Sequence, residues 1–187
     1  MGIGVVGVRA RRGVRRFDEA RGCYIYDVSF SSRAPVTERT LGVAEAFGLG
    51  LDERRQTLYS GFELRLAEGA VVYVTGDSGS GKSVLLRALG EDLGDRAIDI
   101  ADVKPFEDRP IVETVGGTLS EALSLLSRVG LNDAYLFIRR YRELSEGQRY
   151  RFRIAKMVES GRGFWLADEF CSTLDRTTAK IVAFNIQ

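Results

Sequence analysis

No histidine occurs in the 187 residues. This excludes Ser-His-Asp triads, histidine metal sites and imidazole acid–base chemistry from within the chain. Cysteine is nearly absent: Cys23 and Cys171 are too few for a disulfide framework and point to a reducing compartment, the cytoplasm. No apolar run approaches the ~20 residues of a membrane span, and no charged, apolar, small-residue leader pattern opens the sequence. Direct membrane insertion is therefore not expected. Lysine is scarce, four residues against 23 arginines. With 26 acidic residues the net charge is only +1, which argues for no polyanionic partner. Genome composition or growth at high temperature yields the same arginine bias. What remains is 44% apolar and 28% charged, the mix of a globular domain. The length suits about one domain, able to bury roughly 70% of its unfolded surface without a staple.

The N-terminal third reads as β-rich. Ile3 to Val8 is a short apolar run, and Arg9 to Arg21 carries six arginines. Gly22 to Phe30 reads as a strand, and Ser31 to Arg39 as a loop around Pro35. Phe62 to Leu66 alternates apolar and polar residues, as a half-buried strand does. Ala70 to Thr75 (AVVYVT) is continuously apolar, which predicts a strand buried on both faces of a parallel sheet. A helix is expected over Lys82 to Leu89, stopped by Gly90, then a strand over Ala97 to Val103. Lys104 to Gly117 reads as a loop. Thr118 and Glu121 form a capping box that opens a helix ending at Gly130, and Asp133 to Tyr141 is a further helix. Ser145 and Gln148 form a second capping box, for a helix reaching about Ser160. Gly163 to Ala167 is another buried-type strand, and a last helix starts from Asp175.

Gly76-Asp77-Ser78-Gly79-Ser80-Gly81-Lys82-Ser83 fits the phosphate-loop pattern G-x-x-x-x-G-K-[ST] between an expected strand and an expected helix. Glycines let successive backbone N–H groups turn inward on an anion, and the helix start adds its positive end. Lys82 suits the outer phosphates and the Ser83 hydroxyl suits Mg²⁺. The bland alternative is a glycine-rich turn with an incidental lysine. Gly2, Gly4 and Gly7 also match G-x-G-x-x-G, but no strand precedes them, so a dinucleotide site is not expected there.

Phe164-Trp165-Leu166-Ala167-Asp168-Glu169 is an apolar run ending in two acids. A strand end beside a phosphate loop is where open α/β sheets bind ligands. Asp168 is the candidate Mg²⁺ ligand, acting through water. Glu169 is the candidate base that polarises the attacking water, with Lys82 as the second catalytic candidate.

Leu144-Ser145-Glu146-Gly147-Gln148 and the residues to Ala155 supply a third element. Taken with the phosphate loop and the acid pair, it resembles the ATP-binding-cassette (ABC) ATPases, whose signature reads L-S-G-G-Q. Glu146 here replaces the first glycine. Ser172-Thr173-Leu174-Asp175 resembles the family's D-loop, at the usual spacing. The resemblance covers about residues 41–187. It implies an α/β fold of the P-loop NTPase, ABC type: a mostly parallel core sheet, an N-terminal antiparallel β subdomain and a short helical subdomain over about 104–160. Residues 1–40 are then an Arg-rich β segment, part of that subdomain or appended to it. The implied cofactors are ATP and Mg²⁺. ATP would lie between two protomers paired head to tail, gripped by one phosphate loop and by Ser145, Gly147, Gln148 and Asp175 of the other copy. An aromatic upstream would stack on adenine: Phe47 is the first candidate, Tyr59 and Tyr26 the alternatives.

Three departures from the family pattern shape the functional expectation. No glutamine lies between Ser83 and Leu144, leaving Asp102, Glu107 or Asp108 as substitutes for the Q-loop residue. The short interval before the signature implies a reduced helical subdomain. The family's switch histidine follows the D-loop by a helix and a strand, beyond Gln187, so the resemblance implies a cassette incomplete at its C-terminus. The expected function is Mg²⁺-dependent ATP hydrolysis in a non-transport process, with ATP binding expected ahead of efficient turnover, which the incomplete cassette would impair. Alternatives are an ABC transporter's ATPase subunit, or a nucleotide-binding regulatory module. Nucleic acid is a further candidate partner, because Arg139, Arg140, Arg142, Arg149, Arg151 and Arg153 interleave with Tyr141, Tyr150 and Phe152. Its competitor is a solvated helix pair whose arginines meet acids elsewhere.

Overall fold

A computed structural model describes residues 9–32, 34–52, 54–67 and 69–186. The run Ile3 to Val8 and the glycines Gly2, Gly4 and Gly7 lie outside the described residues. The chain divides into two compact units, Met1–Lys82 and Ser83–Gln187.

The first unit is built on an antiparallel meander of three strands, β1 (Arg9–Asp18), β2 (Cys23–Ser32) and β3 (Arg54–Leu64), in that order. The arginine-rich arm is thus itself a strand. As the central strand, β2 is covered on both faces, and Cys23, Tyr24, Ile25, Tyr26, Val28 and Ser29 are all buried. The β2–β3 ladder slips at Asp27, whose carboxylate accepts the Gly61 N–H at 2.6 Å. A side chain here satisfies a backbone donor that a bulge leaves without a ladder partner.

Helix α1 (Glu38–Phe47) was not foreseen. Thr37 caps it by accepting the Thr40 N–H, while the Thr40 hydroxyl accepts the Thr37 N–H. Gly48 closes it at φ 62°. Residues 70–77 correct the expected strand. They form no ladder, and Val71 and Tyr73 are 82% and 86% exposed. An apolar run becomes a buried strand only where neighbours flank it, and β3 ends at Leu64.

In the second unit, helix α2 (Lys82–Leu93) runs through Gly90 and ends before Gly94, at φ 54°. Strands β4 (Ala97–Asp99) and β5 (Phe164–Leu166) pair in parallel, with Asp99 beside Leu166. Among the described residues this two-stranded pair is all the parallel sheet there is, short of the mostly parallel sheet expected. Gly90 explains how α2 meets the pair: a Cβ there would stand 3.0 Å from Leu166 Cδ1.

Helices α3 (Leu119–Arg128) and α5 (Glu146–Glu159) carry both anticipated capping boxes, Thr118 with Glu121 and Ser145 with Gln148. The helix expected over 133–141 shrinks to α4 (Ala134–Phe137), capped by Asp133, with a 3₁₀ turn over Tyr141–Glu143. Helix α6 (Arg176–Ile186) is the last element. One core joins them, centred on Ile111, Leu126, Phe152, Ile154 and Val182, each essentially inaccessible. Each such side chain contributes about 2 kcal/mol through burial.

Candidate functional site

The candidate phosphate loop belongs to the first unit as far as Lys82. Three of its glycines hold positive φ: Gly76 (155°), Gly79 (79°) and Gly81 (92°). A Cβ on Gly76 would stand 2.9 Å from Ser80 Oγ, and one on Gly81 would stand 2.8 Å from Leu58 Cδ1. Positive φ favours glycine at both positions, and any larger residue would also have to displace the Ser80 or Leu58 side chain. The Lys82 ammonium donates to the Gly76 and Asp77 carbonyls, both at 2.8 Å. It lies along the loop, resting on these two carbonyls. Asp77 and Ser78 are exposed beside it.

Tyr59 is drawn into this loop from β3. Its hydroxyl donates to the Ser80 carbonyl at 3.3 Å, and burial pushes its phenol upward from the ordinary range. The other adenine candidates fare differently. Phe47, the last residue of α1, is 76% exposed and free to stack on a base. Tyr26 is 0% exposed in the sheet core, so an adenine cannot reach its ring.

In the second unit, Ser83 stands in the first turn of α2 and Asp168 two residues past β5. The Ser83 hydroxyl donates directly to the Asp168 carboxylate. A hydroxyl and a carboxylate oxygen in contact, both exposed, are the hard donors that Mg²⁺ selects. Among the described residues no cluster of three acidic, cysteine or histidine side chains could hold a metal. A hard cation held by these two oxygens alone would draw the rest of its coordination sphere from water or phosphate.

Glu169 follows at φ 51° and Cys171 at φ 60°, two non-glycine residues in the left-handed region. Each such residue costs on the order of 1–3 kcal/mol and persists only when its surroundings over-determine it. Those surroundings are visible. The Cys171 N–H donates to the buried Tyr150 hydroxyl at 2.8 Å, and the Phe170 ring meets Tyr150 edge-on. Ser172 N–H closes back on the Glu169 carbonyl at 3.0 Å. Burial raises both the Tyr150 phenol and the Cys171 thiol above their usual ranges.

The signature residues open α5. Ser145 Oγ accepts the Gln148 N–H at 3.3 Å, and Gln148 Oε1 accepts the Ser145 N–H at 2.9 Å. Gly147 packs against the D-loop: a Cβ there would lie 3.3 Å from Leu174 Cδ2. Asp175 accepts the Thr177 and Thr178 N–H groups at 3.0 Å each and so caps α6. Hydrogen bonds from the Thr178 hydroxyl and amide hold its carboxyl below the usual range.

Around the signature, the interleaved aromatics are buried. Tyr141, Tyr150 and Phe152 belong to the core and offer no face to a nucleobase. The arginines among them serve the fold. Arg151 donates to the Gly130 carbonyl at 2.7 Å, Arg153 to the Tyr141 hydroxyl at 2.9 Å, and Arg149 to the Arg142 carbonyl. Arg142 pairs with Asp108 at 2.6 Å, which engages one of the three Q-loop candidates. Glu107 offers its carbonyl to the Arg142 N–H at 3.3 Å. Asp102 closes the 3₁₀ turn that follows β4. Since β4 and β5 run parallel, their C-terminal ends share one edge, the edge that leads to Asp168.

Sequence reasoning missed Tyr59 and Tyr150 as partners of the two loops. Both sat in the aromatic pattern, but only the fold shows that each hydroxyl meets the backbone of its loop, the Ser80 carbonyl or the Cys171 N–H.

No protein-family model matches the sequence. Individual relatives do. The chain is 30% identical over 162 residues to the cytochrome c biogenesis ATP-binding export protein CcmA of Ruegeria sp. (strain TM1040), covering 76% of this chain and 77% of the relative. It is 30% identical over 177 residues to the lipoprotein-releasing system ATP-binding protein LolD 1 of Caulobacter vibrioides, covering 74% of each. It is 25% identical over 161 residues to ABC transporter B family member 3 of Dictyostelium discoideum, covering 67% of this chain and 11% of that protein. No helix of the described residues is long and apolar enough to cross a membrane. With the signature at the head of α5, the glycine-built loop and the shared edge of β4 and β5, these relatives show that the chain belongs to the ABC family of ATP-binding proteins.

Proposed function

We propose that the chain binds ATP with Mg²⁺ and hydrolyses it in a head-to-tail pair of protomers. The observation that carries this reading is the direct contact between Ser83 and Asp168, two oxygens prearranged for one hard cation. Gly76 to Lys82 bind the phosphates through backbone N–H groups and the ammonium. Mg²⁺, when bound, supplies charge neutralisation at the phosphate oxygens. Glu169 orients a water and takes its proton as the water attacks. Ser145, Gly147, Gln148 and Asp175 of one copy face the nucleotide held by the other. Phe47 supplies a stacking surface for adenine, and Asp102 stands in for the Q-loop residue.

Two outputs for that hydrolysis have separate support. The names of the relatives, an export protein and a lipoprotein-releasing system, favour a subunit working on a membrane protein. The absence of glutamine between Ser83 and Leu144 favours a non-transport process in the cytoplasm. The buried aromatics around the signature remove the main support for nucleic acid. Steady-state phosphate release with and without Mg²⁺ tests the core of the reading. Tight ATP binding with no Mg²⁺-dependent release would reduce the chain to a nucleotide-binding regulatory module. Co-purification of a membrane protein in the presence of ATP would decide for the transporter reading.

A further inference from the structure

The loop after β5 carries Glu169 and holds non-glycine residues in the left-handed region at Glu169 and Cys171. Nothing in the loop's own sequence favours that shape. The Tyr150 hydroxyl reaches it from the second turn of α5, accepting the Cys171 N–H at 2.8 Å in a buried setting. One turn earlier on the same helix, Gly147 packs on Leu174. Helix α5 therefore grips the loop at two points, one of them a single hydrogen bond two residues from Glu169.

We propose that Tyr150 is a positioning residue for ATP hydrolysis: its hydroxyl fixes the Cys171 amide, and through it the backbone twist that aims the Glu169 carboxylate. The same bond makes the signature helix and the Glu169 loop one mechanical piece. A helix moved by a bound nucleotide would then carry the carboxylate with it. This role rests on the ATPase reading above, with Glu169 as base.

The test compares the full chain with Tyr150→Phe and Tyr141→Phe. Each variant removes one buried phenolic oxygen from the same core, but the Tyr141 oxygen meets Arg153 and not the loop. In Tyr150→Phe, kcat should fall about tenfold, with ATP affinity and KM within about twofold of the parent. Tyr141→Phe should keep its kcat. Amide exchange at Cys171 should be slow in the parent and fast in Tyr150→Phe. An unchanged kcat in Tyr150→Phe overturns the proposal, as does an equal loss in Tyr141→Phe or a loss confined to affinity. If Tyr150→Phe does not fold, an unprotected Cys171 amide in the parent protein overturns it alone. A parent chain that releases no phosphate removes the ATPase reading and this role together. Active parent with indifferent Tyr150→Phe removes only this role.

Discussion

The loop over 76–83 and the loop over 168–175 both turn their backbone into the left-handed region, by opposite means. In the first, Gly76, Gly79 and Gly81 do it, residues with no steric penalty there. In the second, Glu169 and Cys171 do it, held by Tyr150 and by the 3.0 Å bond from the Ser172 N–H to the Glu169 carbonyl. The first loop takes its shape from residue type, the second from its neighbours. A loop shaped by residue type can stay exposed and wait for a ligand. A loop shaped by its neighbours is tied to whatever moves them.

The largest expected effect separates the two loops by what each does. Glu169→Gln keeps the backbone and removes the carboxylate proposed as base, so phosphate release should fall by about 10²–10⁴-fold while ATP still binds. Equal loss of binding would mean that the second loop also holds nucleotide. Lys82→Ala should do the converse. Losing an ammonium–phosphate contact costs up to about 3 kcal/mol, near 100-fold in affinity by nucleotide titration. Unchanged affinity would dissolve the contrast from the other side.

Glycine replacements sharpen it further. Gly81→Ala combines a positive φ with a clash at Leu58 and should cost about 2 kcal/mol or more in thermal unfolding. Gly79→Ala meets open space and should cost only the conformational part, about 1 kcal/mol. Equal costs would show that loop shape, not packing on β3, dominates there.

The smallest effect concerns pH. The Asp175 carboxyl lies below its ordinary range when folded, so its stabilisation is present above the unfolded value of about 3.9 and is lost as pH falls through the lower folded value. Asp175→Asn should therefore unfold with a weaker dependence on pH in that acidic window, read by the melting temperature. An unaltered dependence would place the acid sensitivity elsewhere, with the carboxylates of the first unit as the next to test.

The same contrast explains what the sequence could reveal. The glycine-built turn before α2 and both capping boxes were legible, because glycine, Thr118 with Glu121, and Ser145 with Gln148 act locally. Helix α1 was not, because Thr37 pairs with Thr40 in place of the usual Glu or Gln. The apolar run over 70–75 promised a buried strand, but burial depends on flanking strands that no local pattern encodes. Gly90 reads as a stop because glycine ends helices often, and its approach to Leu166 is invisible along the chain. The arginines and aromatics around the signature advertised a surface, yet the rings turned inward and the guanidinium groups found carbonyls.

Gly90 carries a last consequence. The helix that begins with Lys82 and Ser83 approaches β5 at a point where it offers only hydrogen, and the Leu166 side chain takes up the room a Cβ would need. Glycine there acts as a gauge block between the two elements that bring Ser83 and Asp168 together. A methyl at position 90 would stand 3.0 Å from Leu166 Cδ1, so either that side chain gives by a few tenths of an ångström or α2 shifts off β5, and Ser83 with it. A position with no chemistry of its own thus bears on how closely Ser83 and Asp168 can meet.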